Sequence, residues 1–101
     1  MKQNLLSESI DFDKVTPLWI VRPNRKSMER QFIFKHFQQA FEFMTLSAQY
    51  AEEINHHPDW SNSWNQVRVS LTTHSSGGLT ELDLRMAQKM NDLAEILQSK
   101  R

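Results

Sequence analysis

Cysteine is absent from the 101 residues. That excludes a disulfide framework, a thiolate nucleophile and any zinc site built on sulfur, and it suits a cytoplasmic protein. An excess of either charge is also missing, since 12 Lys and Arg balance 12 Asp and Glu. A neutral domain lacks the electrostatic footprint of a nucleic-acid binder and the polybasic stretch of a membrane-surface anchor. No run approaches the ~20 apolar residues of a membrane-spanning helix, and the opening residues hold no apolar stretch of signal-peptide length. There is no internal repeat, linker or low-complexity tract. Residues 1–101 therefore read as one domain, near the usual size of ~100–150 residues. An apolar share of 39% supports a real core in a small water-soluble domain or in one subunit of an assembly.

The chain then divides by period. Leu5, Leu6, Ile10, Phe12 and Val15 predict a short amphipathic helix ended by Thr16-Pro17, because proline restricts the residue before it. Leu18–Arg22 reads as a strand, Pro23–Ser27 as a polar turn and Met28–Phe34 as the returning strand of an antiparallel hairpin. From Lys35 the spacing becomes helical. Phe37, Ala40, Phe41, Met44, Ala48 and Ala51 make one stripe, expected to face the core. Phe43, Leu46, Tyr50 and Ile54 make a second. A helix apolar on two sides is usually buried on two sides, so the second stripe is expected to meet another subunit. Glu52 falls on the first, inward stripe. Pro58 ends this helix at or before His57. Trp60–Trp64 reads as a strand, Asn65-Gln66 as a turn, and Val67, Val69 and Leu71 as the inner face of a further strand. Thr80 is a good N-cap, with Glu81 and Asp83 in the first turn, where the helix dipole favours negative charge. Leu82, Met86, Met90, Leu93 and Leu97 form the stripe of a final helix.

Three of the four histidines sit in two short segments, Asn55-His56-His57-Pro58-Asp59-Trp60 and Thr73-His74-Ser75-Ser76-Gly77-Gly78. Imidazole gives and takes protons near neutral pH. Concentrating it twice, beside Trp60 and a glycine pair, points to a proton-transfer pocket for a flat polar ligand. A metal centre is a poor fit, because adjacent helical residues diverge by about 100° and neither His-x-x-x-His nor His-Glu-x-x-His occurs. Nucleophilic catalysis has no visible triad around Ser75 and Ser76. His36, at a helix start among phenylalanines, reads as structural.

Glu52, Asn55-His56-His57-Pro58-Asp59-Trp60, Asn62, Trp64, Val67, Val69, Leu71, Thr73-His74, Gly78-Leu79-Thr80 and Asp83 resemble the signature of the pterin-4a-carbinolamine dehydratases. Trp19, Phe32-Ile33-Phe34-Lys35-His36-Phe37, Ala40 and Phe41 also follow that pattern, so the likeness covers about Trp19 to Ala94. It departs at Ser75, where an acidic residue is common, and at Asn55, where some relatives carry aspartate. The resemblance implies an α+β fold, a four-stranded antiparallel sheet with two or three helices packed on one face, assembled as a homodimer or homotetramer. It implies a lyase that removes water from 4a-hydroxytetrahydrobiopterin to give the quinonoid dihydropterin, without cofactor or metal, in tetrahydrobiopterin recycling beside an aromatic amino acid hydroxylase. The implied catalytic residues are His56, His57 and His74, with His56 and His74 as the acid–base pair. Glu52, Trp60, Thr73 and Asp83 are the implied substrate-binding residues. A protein-interaction role, as dimerisation cofactor or transcriptional coactivator, is the alternative that the family carries.

Overall fold

The computed structural model describes residues 3–100. In chain order these form α1 (Phe12–Val15), β1 (Ile20–Val21), β2 (Met28–Ile33), α2 (Phe37–Ile54), β3 (Asp59–Ser63), β4 (Gln66–Leu71), a single 3-10 turn (His74–Ser76) and α3 (Glu81–Ser99). The strands make one antiparallel sheet in the order β1-β2-β4-β3. This is the α+β architecture expected from the sequence.

Alternation on the two central strands explains why one face of the sheet is covered. Phe32 lies opposite Val67 and Met28 opposite Leu71. Side chains two residues apart share a face, so Met28, Phe32, Val67, Val69 and Leu71 all turn inward and are buried. Their neighbours Gln31, Ile33, Gln66 and Arg68 are left on the open face, exposed. Helices α2 and α3 close the covered side. Met86, Met90, Ala94 and Leu97 of α3 are buried there, and Phe43 of α2 packs its ring 4.6 Å from that of Phe32. Trp19 meets Phe32 edge-on at 5.9 Å.

Helix α2 buries neither expected stripe whole, but part of each. Ala40, Phe43, Ser47 and Ala51 face inward, whereas Phe37, Phe41 and Ala48 are exposed. Residue size gives the reason. One large ring flanked by Ala, Ser and Ala lets the helix come close to α3 and the sheet, which a face carrying both Phe37 and Phe41 would prevent. The remaining members of the expected outer stripe, Leu46, Tyr50 and Ile54, pack against the rim of the core. Ser47 carries a cost, for its buried hydroxyl has no hydrogen-bond partner among the described residues.

Two smaller expectations also change. The N-terminal helix is only Phe12–Val15, capped by Asp11. The stretch before it runs alongside the approach to α3 instead, with Leu5 bridged to Thr80 and the Leu6 N–H donating to the Leu79 carbonyl at 3.0 Å. Those backbone groups find partners outside a helix, so periodicity alone could not hold them helical. The β3–β4 turn falls at Trp64-Asn65, one residue early, because Trp64 takes a left-handed backbone (φ 49°). Asn62 secures the turn by donating to the carbonyls of Trp64 (3.0 Å) and Gln66 (2.9 Å).

Candidate active site

The end of α2 aims the first histidine segment. Asn55 is left-handed (φ 52°), its N–H reaches back to the Glu52 carbonyl, and the His56 N–H donates to the Ala51 carbonyl at 2.9 Å. This paired closure is a Schellman motif, which asparagine tolerates better than most side chains. Reversing the chain there turns His56 inward and leaves His57 outside. His56 is 9% exposed, and its Nε2 lies 2.7 Å from Asp83 Oδ1. His57 is exposed and hydrogen-bonds Glu52 through Nε2. Glu52 is thus not inward-facing as its stripe suggested. Its side chain is 76% exposed, since the whole Phe37–Phe41–Ala48 side of α2 looks away from the core.

Asp83 anchors the other half. It has no exposed surface. Its Oδ2 accepts the Thr80 N–H at 2.9 Å and the Thr73 hydroxyl at 2.8 Å. The first of these bonds belongs to a capping box at the start of α3, a pattern that satisfies otherwise orphaned helix N–H groups. Thr73 Oγ1 also lies 2.8 Å from Thr80 Oγ1. Burial of a carboxylate demands full hydrogen bonding, and the set from His56, Thr73 and Thr80 supplies it. Thr73 is 5% exposed and Asp83 is wholly buried, so these two meet each other rather than open solvent.

His74 follows Thr73 directly and opens the 3-10 turn. The turn is pinched at its base, with Thr73 and Gly78 exchanging backbone hydrogen bonds at 3.1 and 3.4 Å. Gly77 completes it with φ 75°, a conformation that costs glycine least. Gly78 sits close under the N-terminal segment, where a Cβ would stand 3.1 Å from the Leu5 side chain and press it aside. His74 itself is exposed. Trp60, half-buried on β3 opposite Val69, packs against the core margin. His36 is structural, as read, for its Nδ1 accepts the Gln39 N–H at 3.2 Å and caps α2.

The two histidine segments are therefore joined through one buried link, His56–Asp83–Thr73, with His74 one residue beyond it. The sequence read Thr80 only as a cap, and its hydroxyl contact to Thr73 was not foreseen. The Thr-x-x-Asp spacing of the capping box was the available signal. A separate hollow of about 370 Å³ opens on the uncovered sheet face, where Glu29, Asp59, Ser61 and Arg68 line it and no histidine does. Chemically, the linked segments provide one oriented, nearly buried imidazole with two exposed imidazoles on the flanking residues, a set suited to moving protons.

Comparison with known proteins places the chain in a family. A sequence profile described as Pterin 4 alpha carbinolamine dehydratase covers residues 3–93. Two curated relatives that carry the family's name come from Bordetella avium (51% identical, covering 77% of this chain and 72% of the relative) and Brucella ovis (46%, covering 93% and 99%). Among solved structures, one described as a transcriptional coactivator/pterin dehydratase from Brucella melitensis aligns with a TM-score of 0.82 at 45% identity, covering 90% of this chain and 99% of that one. A pterin dehydratase-like protein described as a RuBisCO assembly factor of the alpha-carboxysome shares the fold (TM-score 0.64, 22% identity, covering 75% of this chain and 88% of that one). On the profile and the two close relatives together, this chain belongs to the pterin-4a-carbinolamine dehydratase family.

Proposed function

We propose that the protein removes water from a 4a-hydroxytetrahydropterin, with 4a-hydroxytetrahydrobiopterin as the substrate in tetrahydrobiopterin recycling, and that His56, His57 and His74 carry the proton transfers. The observation that supports this most is the buried His56–Asp83–Thr73 link, which ties two sequence-distant histidine segments to one place. Breaking the C4a–oxygen bond requires a proton on the departing hydroxyl. Forming the new double bond requires the adjacent ring nitrogen to give one up. One proton enters and one leaves, so the reaction needs an acid and a base but no redox partner.

His56 and His74 fill these two roles in the reading we favour. Asp83 holds the His56 ring from behind, a positioning task, because its own oxygens are committed to protein donors. His57, braced by Glu52 at the surface, orients the pterin, and Trp60 borders the ring. Positioned general acids and bases contribute ~100- to 10,000-fold. Replacing His56 or His74 with alanine is expected to lower dehydration of chemically prepared 4a-carbinolamine by about that range. Unchanged turnover in both variants would remove the assignment.

A second reading, compatible with the first, is protein interaction. The exposed Phe37 and Phe41 rings on α2, with centroids 5.7 Å apart, favour it, and the Brucella melitensis neighbour is described as a coactivator as well as a dehydratase. Histidine variants that lose turnover while keeping a partner would separate the two roles.

A further inference from the structure

We infer that Asp83 fixes the proton of His56 on Nε2, leaving Nδ1 as its working nitrogen, and that Thr73 is a positioning residue whose buried hydroxyl holds Asp83 for that contact. This deepens the dehydratase reading and rests on it for the meaning of "working". It also moves Thr73 from the substrate, where the sequence resemblance set it, to the support behind the catalytic ring.

The argument is a count of protons. A threonine hydroxyl has one proton and can accept two hydrogen bonds. Asp83, as a carboxylate, only accepts. At 2.8 Å from Asp83 Oδ2, Thr73 must therefore spend its proton on the carboxylate. Its other close contact, 2.8 Å to Thr80 Oγ1, must then use the Thr80 proton. Thr80 Oγ1 in turn accepts the Leu82 N–H at 3.3 Å. The chain runs one way, from Leu82 to Thr80 to Thr73 to Asp83, and each donor strengthens the next. Asp83 Oδ2 is already filled by Thr73 and the Thr80 N–H. Oδ1 remains, and it faces His56 Nε2 at 2.7 Å. An acceptor-only oxygen at that distance requires hydrogen on Nε2. In the neutral ring the lone pair then lies on Nδ1, the one polar atom of His56 left over for a ligand.

Burial rules out a direct role for these supports. Thr80 and Asp83 have no exposed surface and Thr73 has 5%. A pterin cannot reach the Thr73 hydroxyl without displacing the bonds that hold α3's first turn.

Ring-nitrogen NMR of the native protein tests the tautomer without any variant. Neutral His56 is expected to carry its proton on Nε2, as a slowly exchanging, hydrogen-bonded N–H signal. Thr73→Val keeps shape but removes the hydroxyl, and is expected to speed exchange of that signal and lower kcat about 10- to 100-fold, the worth of one hydrogen bond to a charged group, with KM unchanged. Thr73→Ser is expected to restore both. A proton on Nδ1 in the native protein would overturn the inference. So would an unaltered N–H signal in folded Thr73→Val, or a raised KM at constant kcat, which would mean that Thr73 touches substrate. Because the NMR readout needs no turnover, inactivity toward the 4a-carbinolamine in the native protein would sink the functional reading and leave the tautomer result standing.

Discussion

Asn55 controls the direction in which the chain leaves α2, and with it the placement of both motif histidines. Its left-handed backbone is unfavourable for a β-branched residue, by about 1–2 kcal/mol. Asn55→Val is therefore expected to lower the unfolding free energy by about that amount in urea titration, and to reduce turnover by misdirecting His56. Asn55→Gly should keep native stability within about 0.5 kcal/mol, because glycine is the usual occupant of this position. A native-like urea midpoint for Asn55→Val would show that the closing turn is not what fixes the exit. At this scale the sequence was informative where chemistry is local. His36 and Thr80 were legible as structural residues because caps are read over three or four positions. Glu52 was not, because its direction depends on which side of α2 the core selects.

That selection is a matter between elements. Periodicity finds two apolar stripes on α2 but cannot rank them, since both recur at three and four residues. The buried face takes Ala40 and Ala51 from one stripe, Phe43 from the other and Ser47 from neither, because close packing against α3 and the sheet favours small residues around one ring. The strands were more legible. Val67, Val69 and Leu71 alternate so cleanly that only one register buries them all. β1 was overestimated because only Ile20 and Val21 find partners on β2. The exposed stripe predicts association. If Phe37 and Phe41 are covered by a second copy, Phe41→Glu is expected to sediment as a smaller species than the native protein while unfolding within about 0.5 kcal/mol as a separated chain, as exposed substitutions usually do. Native protein that sediments as a monomer would refute this use of α2. The solvated His57–Glu52 pair offers a contrast in magnitude. The His57–Glu52 contact is exposed on both sides and is expected to add under about 1 kcal/mol to stability, so His57→Gln should leave the urea midpoint almost unmoved while weakening pterin binding.

Across the whole molecule, the segment before β1 serves as a strap. Leu5 lies over Gly78, Leu6 bonds Leu79, and the Ser76 hydroxyl donates to the Gln3 carbonyl. The turn that carries His74 is thus held from outside as well as from its base. None of this was legible, because it depends on pairing with residues more than 70 positions away. Asn91 fastens the strap's far end. Its side-chain oxygen accepts from the Trp19 indole at 2.8 Å and from Arg30, and its amide donates to the Pro17 carbonyl at 3.0 Å. Gln88 adds a bond to the Val15 carbonyl at 3.1 Å. Arg30, half-buried with its guanidinium 4.1 Å over the Phe32 ring, is pushed below its ordinary pKa by that burial.

The spans closed by these bonds, 72 to 74 residues, carry a kinetic consequence. Distant ends cost more entropy to bring together than near ones, so the strap should dock after the hairpins and the α2–α3 pair have formed. Interactions missing at the folding barrier act on the escape rate alone. Asn91→Ala is expected to accelerate unfolding while leaving refolding nearly untouched, so that only one limb of the denaturant–rate plot rises. The Asn91 amide would then govern how long a folded molecule lasts and have little influence on how quickly it arises.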